Sequence, residues 1–63
     1  MFFTLQEKID CAKRELQKRR TYYPRMIHEG RLSEEKAKYE IACMESIVET
    51  LQNQLPVVQQ KLL

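Results

Sequence analysis

Tyr23-Pro24-Arg25-Met26-Ile27-His28-Glu29-Gly30-Arg31-Leu32-Ser33 holds the only glycine of this 63-residue chain and one of its two prolines. A proline disfavours helical geometry at the residue before it, and glycine is the residue that ends helices in a left-handed conformation. The segment therefore reads as an elbow. On either side of it, apolar residues recur in alternating steps of three and four, the spacing of a coiled-coil seam. The first seam is Phe2, Leu5, Ile9, Ala12 and Leu16, with Tyr23 further along. The second is Ala37, Ile41, Met44, Ile47/Val48, Leu51 and Leu55, continuing in phase through Val58 and Leu62. Two seams across one elbow predict an all-α fold, an antiparallel, coiled-coil-like two-helix hairpin.

Helix boundaries follow from the capping residues. Thr4 with Glu7 three residues later forms a capping box, so helix 1 is expected from residue 5 to about 22. Lys18, Arg19 and Arg20 fall in its last turns, where cations suit the negative end of the helix dipole. The elbow spans 23–33, and Pro24 is able to open a short helical turn through His28 that Gly30 would end. Ser33 caps helix 2, expected over about 34–55, with Glu34 and Glu35 complementing its positive end. Pro56 breaks or kinks that helix, leaving a tail at 56–63 that is either a second short helix or a frayed end.

Sixty-three residues allow at most one domain, and a lone hairpin of this size buries little surface. Disulfides, a metal or oligomerisation are the usual remedies. Cys11 and Cys43 are the only cysteines and His28 the only histidine, at no zinc-ligand spacing. No metal or cofactor is expected, and oligomerisation remains. Heptad positions say where. With Leu5, Ala12, Met44 and Leu51 at d, and Ile9, Leu16, Ile41 and Val48 at a, Arg19 falls at d and interrupts the first seam. Cys11 and Cys43 then fall at c, and Tyr22 and Ile47 at g. The opposite b/e flank is nearly all polar. Cys11, Tyr22, Cys43 and Ile47 are therefore the expected homodimer face, and two hairpins meeting there make a four-helix bundle.

The formal charge of +2 hides an asymmetry. Residues 1–31 carry eight basic and four acidic side chains, and residues 32–63 carry three basic and five acidic. Opposite charges on the two helices favour antiparallel pairing. The same asymmetry also suits a polyanion. Arg19, Arg20, Arg25 and Arg31, with Tyr22 and Tyr23 among them, offer phosphate contacts and stacking surfaces. Against nucleic acid, Glu7, Asp10, Glu15 and Glu29 dilute that half, and helix 2 is acidic where a recognition helix is basic.

Catalysis is not expected. One histidine, one aspartate (Asp10) and two serines (Ser33, Ser46) provide no nucleophile at a motif spacing from a base, and Ser33 already serves as a cap. No apolar run approaches the roughly 20 residues of a membrane span. Met1-Phe2-Phe3 is too short for a secretory leader, so a cytoplasmic chain with reduced thiols is expected. Protein–protein interaction is the default reading, because Tyr22, Arg25 and Met26 concentrate residue types enriched at interface hot spots.

Tyr23-Pro24-Arg25, Gly30-Arg31-Leu32-Ser33, Ala37 and Glu40-Ile41-Ala42-x-Met44-Glu45-x-Ile47 together form a pattern. With Leu5-Gln6-Glu7-Lys8-Ile9, Arg14-Glu15-Leu16 and Arg19-Arg20, it covers roughly residues 4–51. This pattern resembles small helical-hairpin proteins encoded in bacteriophages and prophages, generally of uncharacterised function. The resemblance implies a phage or prophage origin and a bacterial host cell, and it transfers no catalytic residue. On it, the expected function is an accessory protein, without enzymatic activity, that binds a host or phage protein. The alternative is weak, sequence-nonspecific binding of nucleic acid through Arg19, Arg20, Tyr22, Arg25 and Arg31.

Overall fold

The computed structural model describes residues 1–60. It contains helix α1 (Leu5–His28), helix α2 (Glu34–Gln52) and a single-turn α3 (Val57–Gln60), with no strand among the described residues. Helices α1 and α2 pack side by side in a particle measuring 42 × 26 × 15 Å. The expected all-helical hairpin is the observed architecture.

The start of α1 follows from its first residues. Thr4 Oγ1 accepts from the Glu7 backbone N–H at 3.1 Å, and Glu7 Oε1 accepts from the Thr4 N–H at 2.9 Å. Two donors that a helix start leaves orphaned are thereby satisfied. Because its carboxylate accepts the Thr4 backbone N–H, and to a lesser degree interacts with the Thr4 side chain, the Glu7 pKa lies below the ordinary glutamate range.

The end of α1 corrects the sequence expectation. The helix does not stop near Tyr22; it runs through Pro24 to His28. Pro24 removes one intrahelical donor, that for the Arg20 carbonyl, but it sits close enough to the terminus for the last turns to be held otherwise. Tyr23, Met26 and Ile27 are half-buried and anchor that turn. The Arg31 N–H donates to the Met26 carbonyl at 2.8 Å and the Gly30 N–H to the Ile27 carbonyl at 3.0 Å, the paired bonds of a Schellman motif. Gly30 has φ +73°, the left-handed conformation that closure requires. The elbow thus shrinks from eleven residues to the five between His28 and Glu34.

Ser33 caps α2, its Oγ accepting from the Lys36 N–H at 3.1 Å. This helix ends at Gln52, three residues earlier than expected, and Asn53, Gln54 and Leu55 turn the chain before Pro56. Leu55 tucks into the core, whereas Val58 is 74% exposed, so the seam does not continue in phase beyond Pro56. At the other terminus Phe2 is fully exposed and leaves the first seam, which begins at the half-buried Leu5. Leu62 lies outside the described residues.

The core is one layer thick. Ala12, Leu16, Met44 and Val48 form its centre, with Ile41 and Leu51 packed against them. Ile9, Ala37 and Leu55 are the other buried apolar residues. Alternation of small Ala12 and Ala37 with larger side chains suits close approach of the two backbones.

Candidate interaction surfaces

Two ion-pair groups bridge the helices, one on each flank of the hairpin. On the b/e flank, Arg20 Nη2 meets Glu45 Oε2 at 2.8 Å. On the other edge Arg19 reaches across from its interrupting d position. Its Nη1 donates to the Glu40 backbone carbonyl at 2.7 Å and lies 3.6 Å from Glu40 Oε2, while its Nε donates to Glu15 Oε1 at 3.1 Å. Lys36 Nζ extends the group, 3.6 Å from Glu40 Oε1. The Arg19 side chain is only 22% exposed. Partial burial opposes its charge, but the Glu15 hydrogen bond and the nearby Tyr23, Glu15 and Glu40 outweigh this, and its pKa is raised. Arg19 does not turn to Glu34 or Glu35, the partners nearest the elbow.

This pairing sorts the basic residues. Arg19 is an interhelical strut, Arg20 is paired across the hairpin, and Arg31 lies 3.6 Å from Glu29. Only Arg25 of the four expected contact arginines has no carboxylate partner among the described residues, with Lys13, Arg14 and Lys18 likewise. Tyr22 is 56% exposed beside them. The basic end is therefore a looser array than its sequence implies, and three of its arginines already face carboxylates.

Along the c/g flank, Cys11 and Cys43 are both exposed and both free thiols. Ile47 is 43% exposed, a high value for an isoleucine two turns inside a helix whose neighbours Met44 and Val48 are buried. Helical phase puts Cys11 and Tyr22 on one side of α1, and the antiparallel arrangement puts Cys43 and Ile47 of α2 on the same side. An open groove lies beside the first half of α1, with Phe3, Cys11, Ala12 and Met44 among five charged side chains, Glu7, Lys8, Asp10, Arg14 and Glu15, and of the four residues of the expected face Cys11 alone lines it. The groove reaches core atoms of Ala12 and Met44, so the flank gives access to the hydrophobic layer itself.

Sequence reading passed over Tyr39 and placed Val58 in the second seam; both are exposed, as are Phe3 and Val57. Tyr39 falls outside the seam, and a heptad pattern carries no signal for it. Among the described residues no group of His, Cys, Asp and Glu converges as a metal site, and no helix is long and apolar enough to cross a membrane. His28 is exposed in the last turn of α1 beside the capping Glu29. No protein-family model, curated protein or solved structure matches this chain.

Proposed function

We propose that this chain is a non-enzymatic protein–protein interaction module, a phage-derived accessory protein of the bacterial cytoplasm. It pairs with a second copy through the Cys11, Tyr22, Cys43 and Ile47 flank, forming a four-helix bundle, and binds a host or phage protein with its remaining surface. One observation carries the reading. The chain exposes 5250 Å², whereas a compact monomer of its mass is expected to expose about 4,300 Å². The excess is about the share that one partner buries in a standard interface, about 800 Å². The open groove over Ala12 and Met44 and the exposed Ile47 support the flank as the seat of such a partner.

The nucleic-acid reading is the second choice. Arg25, Lys13, Arg14 and Lys18 support it, and the pairing of Arg19, Arg20 and Arg31 with carboxylates weighs against it.

The test is solution mass by light scattering on a sizing column, for wild type and Ile47→Glu. A wild-type dimer that Ile47→Glu turns into folded monomer is the expected result. An Ile47→Glu chain that stays dimeric and helical overturns the flank. For the rival, wild type is titrated into fluorescent single-stranded and duplex DNA at low and high salt. Salt-sensitive binding that Lys18→Glu with Arg25→Glu abolishes would replace the protein-binding reading.

A further inference from the structure

The two ends of the hairpin differ in kind. The elbow end gathers Arg19, Arg20, Arg25, His28 and Arg31. At the opposite, open end there is no charged side chain from Met1 to Gln6 or from Thr50 to Gln60. The antiparallel register, seen in the Arg19–Glu40 and Arg20–Glu45 pairs, brings the start of α1 level with the chain around Leu55. The open end therefore collects Phe2 at 102% exposure, Phe3 at 56%, Val57 at 67% and Val58 at 74%, with Met1 also exposed. Among the described residues, the largest exposed apolar side chains lie mostly in this tip rather than on the c/g flank.

Both halves of the tip are built. The Thr4–Glu7 capping box sets the direction in which Phe2 and Phe3 leave α1. On the other side, the Gln60 side-chain amide donates to the carbonyls of Asn53 and Leu55, which holds α3 back against the end of α2. Leu55 fills the core beneath, so Val57 and Val58 have no further place inside the hairpin.

We infer that the apolar tip formed by Phe2, Phe3, Val57 and Val58 is a self-association surface that joins two copies of this chain end to end. Charge selects the occupant. Two basic elbows, each with four arginines, repel each other, whereas each tip brings only the Met1 ammonium among the described residues. Area agrees. The exposed parts of Met1, Phe2, Phe3, Val57 and Val58 come to roughly 600 Å² per copy, and twice that reaches the lower limit of a specific interface. The contact shares Phe3 with the groove beside α1, and its test rests on Phe2 and Val58, which do not line that groove. With both tip and flank paired, bundles join tip to tip and present basic elbows at the outer ends.

Small-angle X-ray scattering and light scattering of the full chain test this, since an end-to-end pair is elongated. A single hairpin, or a side-by-side bundle with its hairpins in step, has a longest dimension near 42 Å. The expected wild-type particle is about twice that long. Phe2→Asp with Val58→Asp is expected to halve both its length and its mass while leaving helical content unchanged, since both side chains are exposed. The elongated species is expected to persist in Ile47→Glu, which separates the tip from the flank. A wild-type particle that never exceeds the length of one hairpin overturns the inference. So does an elongated particle that the tip variant leaves intact. Wild type that stays monomeric but sediments with phosphatidylcholine–phosphatidylglycerol vesicles, and loses this in the tip variant, would overturn it in favour of a lipid partner.

Discussion

Arg19 occupies a seam position where a leucine is expected, and its contacts explain how the fold accommodates it. The guanidinium fork spans a backbone carbonyl and two carboxylates on both helices, which a point charge does not reproduce. Arg19→Ala removes a charge-assisted bond to the Glu40 carbonyl and leaves a gap at the edge of the core. The expected loss is about 1–2 kcal/mol, discounted for partial solvent access, read as a lower urea midpoint at unchanged slope. The sequence marked Arg19 as a break in the pattern. It did not identify Glu40 as the partner, because that depends on the helix register, which no single position encodes. The exposure of Ile47 is comparable: its heptad position was legible, and its degree of burial was not.

At the scale of elements, the caps were readable and the stops were not. Thr4 with Glu7, Ser33 and Gly30 act as their residue types predict, because capping is local chemistry. Glu7 adds a pH signature. Its depressed pKa means that the box contributes stability above the ordinary glutamate pKa, and loses it as pH falls through the lowered value. The first turn of α1 is expected to fray in that acidic window, seen as loss of protection at the Thr4 and Glu7 amides in an NMR titration. Glu7→Gln, which keeps an acceptor without a titrating group, is expected to abolish the pH dependence. Pro24 is the opposite case. Its type argues for a helix end, yet the helix runs on to His28, where the Gly30 and Arg31 backbone N–H groups close it, with Tyr23, Met26 and Ile27 half-buried. Pro24→Ala restores a donor for the Arg20 carbonyl and is expected to stabilise by about 1–2 kcal/mol, after allowing for the greater freedom of the unfolded chain. The check is a thermal melt, with the midpoint rising by about 4–8 °C per kcal/mol.

The whole molecule is a thin bar with one layer of core, and its stability should depend on association. If copies bury the c/g flank or the tip, the melting midpoint rises with protein concentration, because binding to the folded state adds to its stability. A hundredfold dilution is expected to lower the wild-type midpoint measurably, and to lower it less in a chain carrying both Ile47→Glu and Phe2→Asp. A midpoint independent of concentration would mean that the monomer is complete as it stands. The sequence by itself determined the helical class, the two seams, the caps and the left-handed glycine, since each depends on residue type and short-range spacing. Only the tertiary structure decided that α1 runs through Pro24, that Arg19 bridges to Glu40, and that Phe2 and Val58 stand outside the core. It also decided that, among the described residues, the largest exposed apolar side chains collect mostly at the open end. These depend on which residues the antiparallel register brings level, and that register is settled by packing between segments far apart in the chain.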